Sequence, residues 1–471
     1  MTASDSDLSL MPARALMRGF AIRAFSPVDA AEAALARIAQ SNASVNAFVF
    51  VDEEGARRAA RASETRWHKR EPLSPLDGVP ASVKELLLAK GWPIRRCSRA
   101  TPPGAIADED APTVARLREA GAVLLGKTNS PEFGWKGTTD NLLYGATRNP
   151  WNAARTSGGS SGGAAAAAAL GMGTLHLGTD GGGSIRIPAA FSGVFGLKPT
   201  FGRVPVYPLS KFGMTSHAGP MTRGVEDGAL LLDVLSKPDS RDWYALPPRE
   251  TSFLKGLKGG VKGLRIAFSP TLGFARVHPE IAAIVANAAH VLAELGAQVE
   301  IVDRVMADPT DAFRKIWATG CAHSLRAFPV SARTAMDPGL VRLAQYGEAL
   351  DHMDYMDADY ARGLLGAEMN RFHERYDLLL TPAEPIEAFC IDKQVDKPEQ
   401  RDWIDWTPFT FPFNLTGQPA ASVPCGFTAA GLPVGLQIVG RRYEDDLVLR
   451  ACFAFEATQP SRAPALIAKG A

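Results

Sequence analysis

Apolar residues recur along the chain at two spacings, and their alternation predicts helices and strands in turn. Helical spacing through residues 30–40 follows a capping hydroxyl at Ser26 and a favourable first helical residue at Pro27. The same spacing predicts helices over 53–67, 110–120, 227–235, 279–295 and 445–456, and across most of 307–377. Short apolar runs predict strands over 45–51, 122–125, 264–268, 378–380, 420–424 and 434–439, and a turn with a short strand over 75–84. Because helices and strands alternate, the pattern predicts an α/β fold whose sheet is covered on both faces.

Composition narrows the range of partners. The 471 residues are 46% hydrophobic and 21% charged, which is close to an average globular protein. Basic and acidic residues number 51 and 50, so the chain lacks the basic excess that nucleic acid or an anionic membrane attracts. A small-molecule partner is therefore expected, with no nucleic acid and no membrane.

Cysteine usage and the N-terminal segment bear on location. The five cysteines are widely spaced and odd in number, which argues against a disulfide framework or a cysteine zinc site. No histidine cluster has metal-ligand spacing, so neither a metal nor another cofactor is expected. The N-terminus lacks the basic and apolar regions of a signal peptide, and no run approaches the roughly 18 apolar residues of a membrane span. The sequence predicts a soluble, cytoplasmic protein.

Two clusters of glycine and serine stand out as candidate chemistry. They are GGSSGG at 158–163 and TDGGGSIR at 179–186, and an alanine-rich helix is predicted between them at 164–170. Consecutive glycines before a serine expose a row of backbone N–H groups, which can stabilise an oxyanion beside the serine hydroxyl. Flexible glycine–serine linkers are the alternative, but the flanking residues are apolar rather than polar.

Three further patterns leave alternatives open. Ser160, with glycine at 158 and 162, fits the nucleophile elbow of an esterase with a Ser–His–acid triad, although His373 lies in a charged helical segment unsuited to catalysis. Lys84 ends the apolar segment LDGVPASVKE and is either a buried base or a solvated surface lysine. The run GAVLLGKT at 121–128 matches a phosphate loop by letters, but its middle is strand-like and Pro131 follows too soon for the required helix.

Several separated segments together resemble the amidase signature family. They are LDGVPASVKE at 76–85, LLGKTNSPEF at 124–133, TRNPWN at 147–152, the stretch from GGSSGG to GLKPT at 158–200, and FPFNLTGQPAASVPCGFTAAGLPVGLQIVG at 411–440. The resemblance spans most of the chain, and its motifs occur in the family's order. It implies a single large α/β/α domain around a mixed β-sheet over 1–471, with 307–406 as a subregion that forms the substrate pocket.

The same resemblance implies a Ser–cisSer–Lys site. Ser184 matches the nucleophile, Ser160 the relay serine in a cis peptide, and Lys84 the base. The remaining matches are an oxyanion hole formed by the N–H groups of Gly181, Gly182, Gly183 and Ser184, and the supporting residues Ser161, Asp180 and Arg186. The chain departs from common family residues at Gly181, at Ser130-Pro131 and at Ser216, and these positions bear on the substrate.

The predicted function is hydrolysis of a carboxylic amide, or a related aryl amide or carbamate, through an acyl-enzyme on Ser184. Trp403, Trp406 and Phe409 either line the acyl pocket or belong to the core. The second hypothesis is the family's subunit of a glutamine-dependent aminoacyl-tRNA amidotransferase, ranked lower because the glutamine-binding arginine segment has no counterpart here. A non-catalytic binding protein is a third hypothesis, and a homodimer is a further expectation.

Overall fold

The structure is a computed structural model that describes residues 7–460 and 462–464. A mixed sheet of eleven strands runs through this part of the chain. The strands are β1 Phe48–Val51, β2 Pro80–Lys84, β3 Val123–Thr128, β4 Leu175–Asp180, β5 Phe195–Lys198, β6 His217–Thr222, β7 Arg265–Phe268, β8 Gln298–Ile301, β9 Leu378–Pro382, β10 Ala420–Phe427 and β11 Pro433–Gly440. The prediction that the N-terminus lacks a signal peptide rests partly on residues 1–6. These residues lie outside the part of the chain that the structure describes.

The sheet brings distant parts of the chain side by side. Its strand order is β1-β3-β2-β4-β6-β5-β10-β11-β9-β7-β8. Strands β3, β2 and β4 are mutually parallel neighbours, as are β9, β7 and β8, and the remaining pairs are antiparallel. The antiparallel pair β5–β10 joins the two halves, so a strand from the middle of the sequence hydrogen-bonds to one near its end.

Helices cover both faces of the sheet. They are α1 Ala13–Ile22, α2 Pro27–Val45, α3 Glu53–Lys69, α4 Pro112–Glu119, α5 Gly162–Ala169, α6 Arg186–Ser192, α7 Val225–Leu235, α8 Pro279–Glu294, α9 Thr310–Leu325, α10 Pro338–Ala349, α11 His352–Arg375, α12 Pro412–Leu415 and α13 Asp445–Glu456. Leu378 and Leu380 of β9 pack into a core cluster with α7, α8 and α13, whereas Leu379 packs into a second cluster with α9, α10 and α11. Side chains alternate between the faces of a strand, so this split confirms the predicted α/β/α layering.

The predicted helices and apolar strands are present, but four strands and three helices were not predicted. The unpredicted strands are β4, β5, β6 and β8, and the unpredicted helices are α1, α6 and α12. The sequences of β5 and β6, FGLK and HAGPMT, carry glycine, proline or polar residues and show neither a period of two nor a long apolar run. Their places in the sheet come from pairing with neighbouring strands, which sequence periodicity does not report.

Two observations concern membrane contact and cysteine chemistry. Among the helices of residues 7–460, none combines the length and apolarity that crossing a membrane demands. All five cysteines are free thiols, and Cys97, Cys321, Cys425 and Cys452 are buried.

Candidate active site

Two neighbouring parallel strands carry the candidate residues to one edge of the sheet. Lys84 is the last residue of β2, and Asp180 is the last residue of β4. Because β2 and β4 are parallel and adjacent, their carboxyl ends meet, and the turn at 181–184 that follows β4 lies beside Lys84. The segment containing Ser160 and Ser161 leads into α5 and reaches the same place.

Lys84 is buried and surrounded by hydroxyl groups. Its Nζ donates to Ser160 Oγ at 2.6 Å, to Ser161 Oγ at 2.9 Å and to Thr179 Oγ1 at 2.9 Å. Burial lowers the pKa of Lys84 to about 7, although the charge of Asp180 opposes this shift. The alternative of a solvated surface lysine is therefore wrong, and near neutral pH a substantial fraction of this amine is uncharged and able to accept a proton.

Ser160 and Ser184 open onto one cavity. The peptide bond between Gly159 and Ser160 is cis, and both serine residues lie in the cavity wall. The backbone N–H of Ser161 donates to the carbonyl of Ser184 at 3.0 Å, which holds the two serine segments together. Among the hydrogen bonds between described residues, none uses the hydroxyl of Ser184, so this group is available to a ligand in the cavity.

Close packing requires glycine at positions 182 and 183, just before Ser184. A Cβ atom on Gly182 would lie 2.7 Å from the rings of Phe313 and Trp403. A Cβ atom on Gly183, whose φ is +129°, would lie 2.3 Å from the hydroxyl of Thr410. Larger residues do not fit at either position, so the segment is a fixed turn and the flexible-linker alternative is wrong.

The N–H groups of the turn at 181–184 differ in whether they make hydrogen bonds within the protein. The N–H of Gly183 donates to Asp180 Oδ1 at 2.8 Å, so in this conformation it does not face an oxyanion, and this part of the predicted oxyanion hole differs from the structure. The hydrogen bonds within the described residues leave the N–H groups of Gly181, Gly182 and Ser184 unused. Gly181 and Ser184 lie in the cavity wall, so their N–H groups remain available to bind negative charge there.

Asp180 and Arg186 form a buried ion pair behind the turn. The guanidinium donates to the carboxylate from Nε at 3.0 Å and from a terminal nitrogen at 2.9 Å, and both side chains are fully buried. Arg186 also donates to the Thr410 carbonyl, to Asn414 and to Gln437. Burial would raise the pKa of Asp180, but the charge and hydrogen bonds of Arg186 hold it below its usual value. The carboxylate therefore stays ionised and anchors the turn through Gly183.

Replacing Asp180 with asparagine is expected to destabilise the protein by about 3–5 kcal/mol, because it leaves the buried guanidinium of Arg186 without its counter-charge. Urea unfolding followed by circular dichroism measures this change at constant m value. Asp377→Asn, which removes a paired carboxylate at the surface, is the matched control and is expected to change the midpoint far less. Equal shifts in the two variants would contradict the anchoring role.

The cavity has a volume of about 330 Å³ and a largely apolar wall. Trp317 lies in that wall and stacks on Phe212 with ring centroids 4.0 Å apart, and its indole N–H donates to the Trp135 carbonyl at 2.9 Å. A Cβ atom on Gly181 would lie 2.8 Å from the Trp317 ring. Glycine at position 181 therefore leaves room for the Trp317 indole beside the site. This is a physical reason for the departure from the common family residue at this position.

The structure assigns the three predicted aromatic residues to the core. Trp403, Trp406 and Phe409 are almost fully buried in the cluster with α9 to α11. Trp403 packs edge to face against Trp317 at 5.4 Å, so it supports the cavity wall from behind. Trp317 was missed because the predicted helical region 307–377 offered no signal to distinguish it from a core residue.

A Ser–His–acid triad does not fit this arrangement. Residues 129–161, which precede α5, contain no β-strand, whereas a nucleophile elbow requires a strand before the serine. His217 does lie in the cavity wall, but its Nδ1 is 2.8 Å from the Thr215 carbonyl and its Nε2 is 3.4 Å from Lys198 Nζ. Both ring nitrogens are thus engaged, and burial together with the charge of Lys198 lowers the pKa of His217.

The remaining candidates fall outside the site. The segment that resembled a phosphate loop is largely strand β3, as expected from its apolar centre. His373 is buried in α11, where its Nδ1 is 3.0 Å from the Tyr376 carbonyl. Within the described residues, no group of three or more His, Cys, Asp or Glu side chains is placed to hold a metal ion.

Comparison with known proteins defines the class to which this fold and site belong. A family model described as Amidase matches residues 29–449. The chain therefore belongs to the amidase family, and it is a hydrolase that acts on amide C–N bonds.

Individual relatives narrow this class. The chain is 39% identical to an acylamidase of Rhodococcus erythropolis, with 97% of each chain covered. It is 36% identical to a glutamyl-tRNA(Gln) amidotransferase subunit of Myxococcus xanthus, covering 92% of this chain and 93% of that one. Among solved structures it resembles a bacterial aryl acylamidase of the amidase signature family, with a TM-score of 0.91, 33% identity, and 97% of this chain and 98% of that one covered. A 6-aminohexanoate cyclic dimer hydrolase follows, with a TM-score of 0.89, 30% identity, and 98% and 100% covered.

Proposed function

We propose that the protein hydrolyses a carboxylic amide through an acyl-enzyme formed on Ser184, with Ser160 as proton relay and Lys84 as base. The observation that carries this proposal is the buried 2.6 Å contact between Lys84 Nζ and Ser160 Oγ, beside a cavity that both serines line. A neutral amine, a relaying hydroxyl and an accessible second hydroxyl are together the groups that acyl transfer to serine requires.

The proposed reaction moves one proton along this chain and back. The Ser184 hydroxyl gives its proton to Ser160, which gives its own to neutral Lys84, and Ser184 Oγ attacks the amide carbon. As the tetrahedral intermediate collapses, the proton returns by the same route to the leaving nitrogen, and the amine departs. A water molecule, activated by the same relay, then hydrolyses the ester on Ser184 and restores the free enzyme.

The substrate carbonyl oxygen becomes negatively charged in the tetrahedral intermediate, and its stabilisation needs hydrogen-bond donors that are already in place. The unused N–H groups of Gly181, Gly182 and Ser184 are proposed to form the oxyanion hole, whereas the N–H of Gly183 holds the turn to Asp180. Ser161 supports the relay, since its hydroxyl contacts both Lys84 and the backbone of Thr179. Asp180 and Arg186 act only through the position of the turn.

The substrate is proposed to carry an apolar or aromatic acyl or amine portion. The acylamidase and aryl acylamidase similarities support this, and so do Phe133, Phe212, Trp317 and Phe328 in the cavity wall. Trp317 and Phe328 come from 307–406, which supports the proposal that this subregion shapes the pocket within a single domain. Aryl amides and carbamates are therefore included in the proposed substrate range.

A second candidate is the amidotransferase component, favoured by the 36% identity to such a protein. That function requires a partner chain, whereas a hydrolase acts alone. Turnover of a simple anilide by the purified chain favours the hydrolase, and turnover that appears only after a second protein co-purifies favours the amidotransferase.

Covalent labelling tests the proposed nucleophile directly. After exposure to a fluorophosphonate, intact mass should increase by one adduct, and peptide mapping should place it on Ser184, because an activated serine attacks the phosphorus. Denatured protein is the control and should remain unlabelled. An adduct on Ser160, or none on the native protein, would contradict the assignment.

A further inference from the structure

The charges around the cavity are unbalanced. Arg96 and Lys211 line its wall together with the buried residues of the site. The carboxylate in this wall is that of Asp180, and its two oxygens are already bonded to Arg186, to Asn414 and to the N–H groups of Gly183 and Ile185. The cavity therefore presents positive charge that the described residues do not neutralise.

Arg96 is held in place by its backbone. Its φ is +49°, its N–H donates to Glu85 Oε1 at 2.9 Å, and its carbonyl accepts from the Phe133 N–H at 3.0 Å. Glu85 is the acid nearest in sequence, but its carboxylate lies 3.9 Å from Lys127 and also accepts the Arg95 N–H. Glu85 is thus already occupied by other groups.

The guanidinium of Arg96 is half-buried and unpaired. Across residues 7–460 and 462–464, the ion pairs and side-chain hydrogen bonds include none from this group. Burial lowers the pKa of Arg96, with only partial opposition from Glu85. Removing an arginine from water without a partner costs free energy, and a planar carboxylate that accepts two hydrogen bonds would restore the balance.

We propose that the amide substrate of this enzyme carries a carboxylate, and that Arg96 binds this carboxylate at the cavity wall while the amide lies at Ser184. This inference rests on the proposed function and narrows its substrate class to anionic amides. Leu86, Leu88 and Phe133 line the same cavity, and apolar side chains of this kind would exclude water from the ion pair. Lys211 is exposed, so it contributes attraction over distance rather than a fixed contact.

Binding to a non-hydrolysing variant separates this inference from the catalytic proposal. We would titrate Ser184→Ala protein calorimetrically with two matched pairs, in which the carboxylate is on either side of the amide. The amine-side pair is 4-acetamidobenzoate and 4-methylacetanilide, and the acyl-side pair is succinic and pentanoic 4-nitroanilide. In one pair at least, the anion is expected to bind about tenfold to a hundredfold more tightly than its neutral partner.

The double variant Ser184→Ala/Arg96→Met is expected to reduce that ratio to near one, whereas Ser184→Ala/Arg95→Met should retain it. Arg95 is the matched control because it is adjacent, also donates its N–H to Glu85, and lies outside the cavity wall. Unchanged thermal midpoints would show that each variant is folded.

Two outcomes overturn the inference. In the first, Ser184→Ala protein binds the anionic and the neutral amide equally well in both pairs. In the second, the preference for the anionic amide remains after Arg96→Met. Hydrolysis of the neutral amides by the wild-type enzyme would still support the proposed function, whereas anion-selective binding without any hydrolysis would overturn that function alone.

Discussion

Ser184→Ala is expected to lower kcat/KM for an anilide substrate by roughly 10⁴-fold or more, because it removes the cavity hydroxyl that is proposed to form the acyl-enzyme. Activity that remains would come from binding and from the N–H groups of the turn. The hydroxyl of Ser184 makes no hydrogen bond to another described residue, so its loss should leave stability nearly unchanged. Release of 4-nitroaniline measures turnover, and thermal unfolding checks the fold.

A matched serine shows that the effect belongs to position 184. Ser192 is buried at the end of α6, in the helix that follows the turn, and its hydroxyl bonds only weakly to the Ser157 carbonyl at 3.4 Å. Ser192→Ala should keep most of the turnover. If Ser184→Ala retained a tenth of wild-type kcat/KM, covalent catalysis at Ser184 would have to be abandoned.

Lys84→Met is expected to lower kcat/KM on the order of 10³-fold, within the range that general bases contribute. Methionine has a similar length but cannot accept a proton, so Ser160 would no longer be deprotonated as Ser184 attacks. Labelling by a fluorophosphonate should also slow sharply. Steady-state kinetics and time-resolved intact mass measure the two effects on the same preparation.

Lys127 provides the matched control for this variant. It is also a buried lysine, it lies on the adjacent strand β3, and its Nζ donates to the Pro93 carbonyl at 2.8 Å rather than to a serine of the site. Lys127→Met should retain turnover per folded molecule. Comparable losses of turnover in the two variants would show that Lys84 acts through the fold and not as a base.

The pH dependence of the wild-type enzyme follows from the same lysine. Burial lowers the pKa of Lys84 to about 7, and only the uncharged amine accepts a proton. The value of kcat/KM is therefore expected to fall tenfold per unit as pH decreases below about 7, and to level off above it. A rate that is independent of pH between 5 and 8 would contradict this assignment, as would survival of the acid limb in the residual activity of Lys84→Met.

The sequence predicted the layered fold and the residues that meet at the site, but by two different routes. Amphipathic helices such as α8 and α13 have enough periodicity to be predicted alone. Lys84 and Ser160 are 76 residues apart and were linked only by resemblance to a family. Their roles remain predictions, although their proximity is now a structural observation.

What the sequence could not predict depends on contacts between distant segments. The use of the Gly183 N–H by Asp180 follows from a turn conformation that a run of three glycines leaves undetermined. The stacking of Phe212 on Trp317 joins a loop to α9, and neither residue lies in a motif. Whether Arg96 has a charged partner depends on which acidic side chains the fold places beside it. The sequence alone does not show this.

The long-range support of the Asp180 turn has a consequence for synthesis on the ribosome. Arg186, which pairs with Asp180, also donates hydrogen bonds to Thr410, Asn414 and Gln437. These three residues are translated more than 220 residues after Arg186. We therefore expect the nascent chain to expose Ser184 and its turn long before the segment that completes the hydrogen bonds of Arg186 has left the exit tunnel.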